Sequence, residues 1–445
     1  MLPATQAIER ATPSGRRRIV LATFGSLGDL HPCIAVALGL QVRGHEAVIA
    51  TSGYYREKIE SLGIGFRPVR PDHPAPETDP DLMRRIMDRR KGSECIIREF
   101  MMPVLRESYE DTLAAAEGAD LLVSHMITFT ARLVAEKKGI PWASTFLQPF
   151  GFFSAYDPPV LPPALFVAKL RFLGPAFHRV LFWCAKQWVR SWTEPWHRLR
   201  AEIGLPPTSE SPLFEGQYSP SLVMAMFSKS LAAKQADWPR QAVVTGFPFY
   251  DHDGDSGMPS ELHRFLDVGP PPLVFTLGSA AVFDAGPFYD HSAAAAKLLR
   301  RRAVLLVGKE TGNRPATLPE GVVAFDYAPF SELFPRAAAI IHQGGIGTTA
   351  QAMRSGRPML VVPFAHDQPD NADRMTRLGI GRTISRQRYN ATRAAVELKQ
   401  LLDHPAYSQR AAAIGSEIRQ EDGVAAACDA LEGLLPTARP TSSGA

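Results

Sequence analysis

Cysteine is scarce in this chain: four occur in 445 residues (Cys33, Cys95, Cys184 and Cys428), and no two stand at CxxC or CxxH spacing. Neither a disulfide framework nor a structural zinc site is expected, and a reducing compartment is the default. An excess of one charge is missing too, since 49 Lys and Arg against 45 Asp and Glu leave a formal +4. That balance argues against a protein held mainly by nucleic-acid phosphates. No run of roughly 18 apolar residues occurs, so no membrane-spanning helix is expected. The opening MLPATQAIERATPSGRRR has no signal-peptide core. A cytoplasmic protein is the expectation. What is present is ordinary for a globular enzyme: 45% hydrophobic and 21% charged residues, with 34 glycines and 38 prolines spread along the chain without a collagen-like period. At roughly 100–200 residues per domain, the length predicts two or three domains.

The order of elements narrows the fold class. Arg18–Phe24 (RIVLATF) has the length and apolarity of a buried strand. GSLGDLHP follows, then a helix pattern from Pro32 to Val42 and a second strand, Glu46–Thr51. Strand, glycine turn, helix and buried strand make a βαβ unit and hence a parallel sheet. Later strands are expected at Leu121–Ser124 and Trp142–Phe146. After the stiff Gly269-Pro270-Pro271-Pro272, a second series begins: Leu273–Gly278, Ala303–Gly308, Val322–Phe325, Ala338–His342 and Met359–Pro363. Two α/β halves imply a cleft, with ligands at the carboxyl ends of both sheets.

The segment His342–Asn371, HQGGIGTTAQAMRSGRPMLVVPFAHDQPDN, is the most informative. A buried strand ends at His342, glycines stand at 344, 345 and 347, and a helix can run through Thr348–Arg354. Glycine lets backbone N–H groups approach an oxyanion, and a helix N-terminus adds roughly half a positive charge. Thr348 and Thr349 offer hydroxyls and His342 an imidazole N–H. A tight strand-to-helix turn without a ligand would read the same way. Position 350 is alanine, so the dinucleotide fingerprint GxGxxG is absent, as is a Walker lysine. Asp367 and Gln368 lie after the next strand, at the same sheet edge. A carboxylate beside an amide suits vicinal sugar hydroxyls; the plain alternative is Asp367 as a helix N-cap.

Taken together, H-x-G-G-x-G-T, then G-R-P, then P-F-x-x-D-Q-x-x-N resembles the nucleotide-sugar signature of GT-B glycosyltransferases. That family includes plant natural-product, bacterial antibiotic, sterol and rhamnolipid-type enzymes. FGSLGDLHPCIAVA resembles the bacterial branch, and the likeness of pattern extends over nearly the whole chain. It implies two Rossmann-like domains facing each other. The expected division is an acceptor-binding domain over 16–247, a connector over 248–272 and a donor-binding domain over 273–420. A last helix over 421–435 returns to the first domain, and 436–445 form a disordered tail. Carried over position by position, the resemblance places His342, Gly345, Gly347, Thr348 and Ser279 at the diphosphate, and Asp367 and Gln368 at the sugar. Tyr327-Ala328-Pro329-Phe330 stands where the family has Trp-Ala-Pro-Gln, so Tyr327 can stack on a base while Phe330 cannot replace an amide. Ala350 stands where plant members carry a ribose-binding glutamate. Both departures leave UDP-glucose and dTDP-rhamnose open as donors, the second weakly favoured.

Transfer to a hydroxyl needs a base and a stabilised leaving diphosphate. Asp29, in the turn after the first strand, occupies the position of the plant family's histidine, as in bacterial members. His125, in LLVSHMITF, falls near the position of that histidine's partner aspartate. An exchanged Asp29–His125 dyad is therefore expected, against the alternatives of a turn-capping carboxylate and a hydrogen-bonded core histidine. His31, directly before Pro32, is a further catalytic candidate or a helix cap. No protein nucleophile is evident, so one displacement with inversion follows.

Residues 142–196 hold five of the six tryptophans and many phenylalanines. Phe146, Phe150, Phe152 and Phe153 are candidates to line an apolar acceptor pocket. Phe172, Phe177, Trp183, Trp188 and Trp192 read as core. With Lys169, Arg171, Arg179, Lys186 and Arg190, the same stretch also fits an amphipathic surface in peripheral contact with a membrane. DHDGDSG (251–257) lacks the glycine and glutamate placement of an EF-hand and reads as a solvated loop. The expectation is thus an inverting glycosyltransferase with a nucleotide-sugar co-substrate, a small hydrophobic acceptor, no metal, no further cofactor and no nucleic-acid partner. A nucleotide-sugar epimerase of the same fold, or a non-catalytic nucleotide-binding helper protein, are the alternatives.

Overall fold

Two parallel sheets, one from each half of the chain, organise the described residues (15–72, 80–251 and 257–435) of this computed structural model. The first contains β1 (Arg18–Ala22), β2 (Glu46–Thr51), β3 (Gly65–Pro68), β4 (Leu121–His125), β5 (Trp142–Phe146), β6 (Leu222–Ala225) and β7 (Ala242–Val244). Their order is β3-β2-β1-β4-β5-β6-β7. The second contains β8 (Leu273–Thr276), β9 (Ala303–Leu306), β10 (Val322–Phe325), β11 (Ala339–His342), β12 (Met359–Val361) and β13 (Gly381–Thr383), in the order β10-β9-β8-β11-β12-β13. Helices cover both faces of such sheets, so their central strands are apolar throughout. Ile19, Val20, Val274, Phe275, Ile340 and Ile341 are all fully buried.

Strand order places the site. In the first sheet the chain steps outward from β1 through β2 to β3, then returns to lay β4 on the other side of β1. The second sheet does the same at β8 and β11. At each reversal the loops from the two neighbouring strands diverge and leave a crevice at the carboxyl ends. Asp29 follows β1 and His125 ends β4; Ser279 follows β8 and His342 ends β11.

Local structure departs from expectation in places. The first helix runs Leu27–Val42, beginning five residues before Pro32, because Ser26 caps it. Ser26 Oγ accepts from Gly28 N at 3.2 Å and Asp29 Oδ2 accepts from Ser26 N at 2.8 Å, a reciprocal capping box. His31 therefore lies inside the helix rather than capping it. The stretch 248–272 is more than a connector, since Ser260–Asp267 form a helix that buries Leu262 and Leu266. The tail 436–445 and residues 252–256 lie outside the described residues. The helix Gly423–Glu432 lies on Leu27–Val42: a Cβ at Gly39 would come 2.6 Å from Val424 Cγ1 and 2.9 Å from Cys428 Sγ. Arg43 Nη1 closes that contact with Asp429 Oδ1 and Glu432 Oε2, each at 2.6 Å.

Candidate active site

At the first switch point the β1 turn folds a carboxylate back toward β4. Gly25 has φ +132°, and a Cβ there would lie 2.2 Å from Asp29 Oδ2, so a glycine is required for the carboxylate to reach Ser26 N. Asp29 Oδ2 is thus held by the capping box, and Oδ1 faces His125 Nε2 at 3.7 Å. His125 is 6% exposed, and neither ring nitrogen makes a hydrogen bond. It is therefore not the hydrogen-bonded core histidine of the plain alternative. Burial lowers its pKa, partly offset by the Asp29 charge, so the imidazole is neutral at pH 7. A cavity of about 20 Å³, lined by Asp29, His125, Cys33, Leu147, Met224 and Met226 among others, opens beside the pair. That is room for one water-sized group such as a hydroxyl. His31 stands apart, its ring 5.2 Å from that of Tyr250.

The second switch point holds the glycine turn. Gly344 has φ +91° and no space for a Cβ, which would meet Val361 Cγ1 at 2.7 Å. Gly345 is the N-cap of the helix Ile346–Ser355, which begins earlier than expected. Gly347 faces the first domain directly: a Cβ on it would lie 3.5 Å from Gly28 Cα, so the two turns meet. Thr348 is buried beside them. His342 corrects the expectation of an N–H aimed at the diphosphate. Its Nδ1 accepts from Gly344 N at 3.1 Å and its Nε2 lies 3.4 Å from Met359 Sδ. Burial lowers its pKa to about 3, so it is a neutral prop under the turn. Gln343, which the sequence reading passed over, is buried with its Oε1 unpartnered. Its Nε2 would lie 2.4 Å from a Cβ at Gly278, the residue before Ser279. Ser279 itself is half-buried in that turn.

Asp367 and Gln368 sit beside the turn, at the start of the helix Gln368–Arg377. Asp367 makes no capping hydrogen bond, which removes its plain alternative. Asn371 Nδ2 ties the two motifs together, donating to Gly344 O at 2.8 Å and to Asp367 Oδ2 at 2.7 Å. Gln368 Oε1 accepts from Phe364 N at 2.8 Å and Ala365 N at 3.2 Å, leaving its Nε2 as the group able to meet a ligand. Burial first, and then the Asp29 charge across the cleft, push the Asp367 pKa up from 3.8 to about 7. Between those values the folded chain holds a proton that the unfolded chain has released, so stability falls as pH rises through that window. Over the same range the neutral His342 and His366, whose pKa values burial lowers, contribute in the opposite sense, gaining stability as pH rises toward 6.5. The Asp367 contribution is therefore read as a difference between wild type and variant. Thermal unfolding of Asp367→Asn beside wild type should show the variant gaining stability relative to wild type as pH rises from about 4 to above 7.

The remaining candidates divide. Tyr327 is 38% exposed, in the loop after β10. Phe330 stacks on Phe334 with centroids 4.4 Å apart, which commits its ring to packing. Phe146 and Phe152 do not line an acceptor pocket: both are buried, 4.7 Å apart, and Phe152 lies 3.8 Å from the Trp238 ring. β5 points Phe146 into the core, and the residues beside the Asp29–His125 pair are Leu147, Met224 and Met226 instead. The two methionines lie in the apolar run Leu222–Phe227 around β6, a signal present in the sequence but absent from the strands expected above. Phe150 is half-buried, 5.9 Å from Phe153. Among the described residues no three His, Cys, Asp or Glu side chains gather as a metal cluster. Asp251, at the edge of the polar loop, pairs with Arg354 at 2.6 Å.

A buried ion network bridges the two halves next to Asp367. Arg374, 2% exposed, binds Asp370 Oδ2 at 2.8 Å on its own helix and Asp157 Oδ2 at 2.5 Å from the loop after β5. Asp370 Oδ1 also accepts from Val160 N at 2.9 Å. Arg377 reaches Asp157 Oδ1 at 3.1 Å, and Arg171 reaches Asp373 at 2.9 Å.

Two facing Rossmann-like domains, each with its polar residues at the switch point, define a GT-B fold. Residues 19–151 match the glycosyltransferase family 28 N-terminal domain, and residues 295–430 the erythromycin biosynthesis protein CIII-like C-terminal domain. The chain is 33% identical over 433 residues to the O-mycaminosyltylonolide 6-deoxyallosyltransferase of Streptomyces fradiae, covering 93% of this chain and 97% of that one. It is 29% identical to the sterol 3-beta-glucosyltransferase of Neurospora crassa over 96% of its own length, which spans 28% of that longer protein. The fold is shared with the glycotransferase of kitacinnamycin (TM-score 0.67, 22% identity, 95% of this chain and 99% of that one). It is shared also with the spinosyn rhamnosyltransferase SpnG complexed with thymidine diphosphate (TM-score 0.65, 18% identity, 94% and 100%). The chain belongs to the GT-B natural-product glycosyltransferases.

Proposed function

We propose that this glycosyltransferase moves a hexose from a UDP- or dTDP-sugar to a hydroxyl of a small hydrophobic acceptor, with inversion at the anomeric carbon. The observation that carries the reading is the meeting of the two switch points. Asp29, paired with His125 at 3.7 Å, faces the turn Gly344–Thr348 and Asp367 across a narrow cleft. The acceptor hydroxyl enters the small cavity at Asp29, whose carboxylate is more open to solvent than the His125 ring. As the acceptor oxygen attacks the anomeric carbon, its proton passes to Asp29 Oδ1. His125 orients that oxygen and, being neutral, adds no competing charge. The diphosphate departs on the opposite side toward the N–H groups of Gly345 and Gly347, the Thr348 hydroxyl and the positive end of the helix Ile346–Ser355. Asp367 and Gln368 Nε2 hold the sugar hydroxyls. Side chains and a helix terminus thus perform the neutralisation, and the mechanism asks for no metal.

A thymidine diphosphate complex among the structural neighbours fits a dTDP-sugar donor, and a sterol glucosyltransferase among the relatives fits an apolar acceptor. The test is product analysis with UDP- and dTDP-hexoses and a panel of apolar alcohols. A glycoside whose anomeric configuration, read by NMR coupling constants, is opposite to the donor's is expected. Free sugar or an altered donor without acceptor would assign an epimerase. Nucleotide binding with no product from any acceptor would assign a helper protein.

A further inference from the structure

The segment between β5 and β6 contains an exposed apolar face that the transfer chemistry does not use. The turns Pro162–Leu173 form a helix of about three residues per turn, which brings Phe166, Lys169 and Phe172 to one edge. Phe166 is 65% exposed and Phe172 79%. The helix Gly174–Trp188 continues the pattern at its own period: Val180, Trp183, Cys184 and Trp188 are exposed at spacings of three, one and four. Trp183 is 62% exposed and Trp188 65%. The core reading of Phe172, Trp183 and Trp188 is therefore corrected: these rings face outward.

Charge says what covers them. From Pro158 to Thr193 the chain has five basic residues and no Asp or Glu. Arg171 and Lys186 are spent on Asp373 and Glu215. Lys169, Arg179 and Arg190 are exposed and have no carboxylate within ion-pair distance among the described residues; Arg179 instead donates to Tyr156 Oη at 3.2 Å. Tyr156 is itself half-exposed. Exposed tryptophan and phenylalanine beside unpaired cations match the two layers of an anionic bilayer surface, the acyl boundary and the headgroup phosphates.

We propose that this face docks the acceptor-binding domain on an anionic lipid membrane, with Phe166, Phe172, Trp183 and Trp188 entering the interface and Lys169, Arg179 and Arg190 contacting headgroup phosphates. The proposal stands apart from the assignment of donor and mechanism. It is tested by co-sedimentation of the full chain with vesicles of phosphatidylcholine alone or mixed with phosphatidylglycerol. Wild type should sediment with the mixed vesicles, much less with phosphatidylcholine, and release as salt rises. Lys169→Gln, Arg179→Gln and Arg190→Gln together should weaken binding roughly a hundredfold. Phe172→Ser with Trp183→Ser should abolish it at unchanged Tm, which separates lost docking from lost folding. No sedimentation of wild type, or equal sedimentation of either variant, would overturn the proposal. So would concentration-dependent self-association in sedimentation velocity that Phe172→Ser with Trp183→Ser removes, because the face would then join two copies of the chain.

Discussion

Asp29→Asn should lower turnover by roughly 10²–10⁴-fold, the usual contribution of a positioned proton acceptor. Asparagine is the informative replacement because Asp29 has two tasks. Its Oδ2 accepts from Ser26 N in the capping box, and an asparagine oxygen can still do so, so the helix Leu27–Val42 should keep its start and Tm should barely move. What is lost is the carboxylate charge on Oδ1, the atom facing His125. His125→Leu should cost much of the same factor, and the double variant little more than Asp29→Asn alone, as for groups that act as a unit. Steady-state rates on the three variants check this. Wild-type turnover in Asp29→Asn would remove the base assignment.

Arg374→Ala should destabilise the fold by about 3–5 kcal/mol. Among the described residues, it leaves the buried Asp370 charge with only the Val160 N–H and Asp157 with Arg377 as its one remaining ion pair. Burial opposes the guanidinium charge, but the two carboxylates outweigh it and raise its pKa. In turn burial pushes the Asp157 pKa up, but the Arg374 guanidinium, with Arg377 and Arg171, outweighs it and holds Asp157 below the usual carboxylate range. Asp157 belongs to the loop after β5 and Asp370 to the helix that begins at Gln368, so the loss also removes one of the ties between that loop and that helix. Denaturant unfolding reads the effect. Arg84→Ala is the control: its pair with Asp81 is exposed on both sides, where such a pair is worth about 0–1 kcal/mol.

Most of the fold was legible because central parallel strands are buried on both faces and read as apolar runs; β1, β2, β5 and β11 fall within two residues of expectation at each end. The strands β3, β7 and β13 lie at sheet edges and are partly exposed, so they show no long apolar run. The short apolar β6 was passed over, and with it the methionines beside the Asp29–His125 pair. The pairing of Asp29 with His125 was expected from the resemblance to plant members, and the structure supplies its physical basis, since β1 and β4 are neighbours in the sheet. The direction of a side chain did not follow. A histidine at a strand end looks the same in sequence whether it points at a ligand or, like His342, is bonded to Gly344 N. Phe146 and Trp183 were misjudged in opposite senses, since aromatic content cannot tell a face toward the core from a face toward solvent. The Asp157–Arg374–Asp370 network spans 217 residues of sequence between Asp157 and Arg374, a separation at which no local pattern could have shown it.

The most direct measurement is calorimetric titration of the chain with UDP and with dTDP, repeated on Thr348→Val. The account predicts one-to-one binding of at least one nucleotide, weakened about five- to tenfold when the hydroxyl that meets the diphosphate is lost. Binding of neither nucleotide by a folded chain, or binding unchanged in Thr348→Val, would contradict a donor diphosphate seated on the turn Gly344–Thr348.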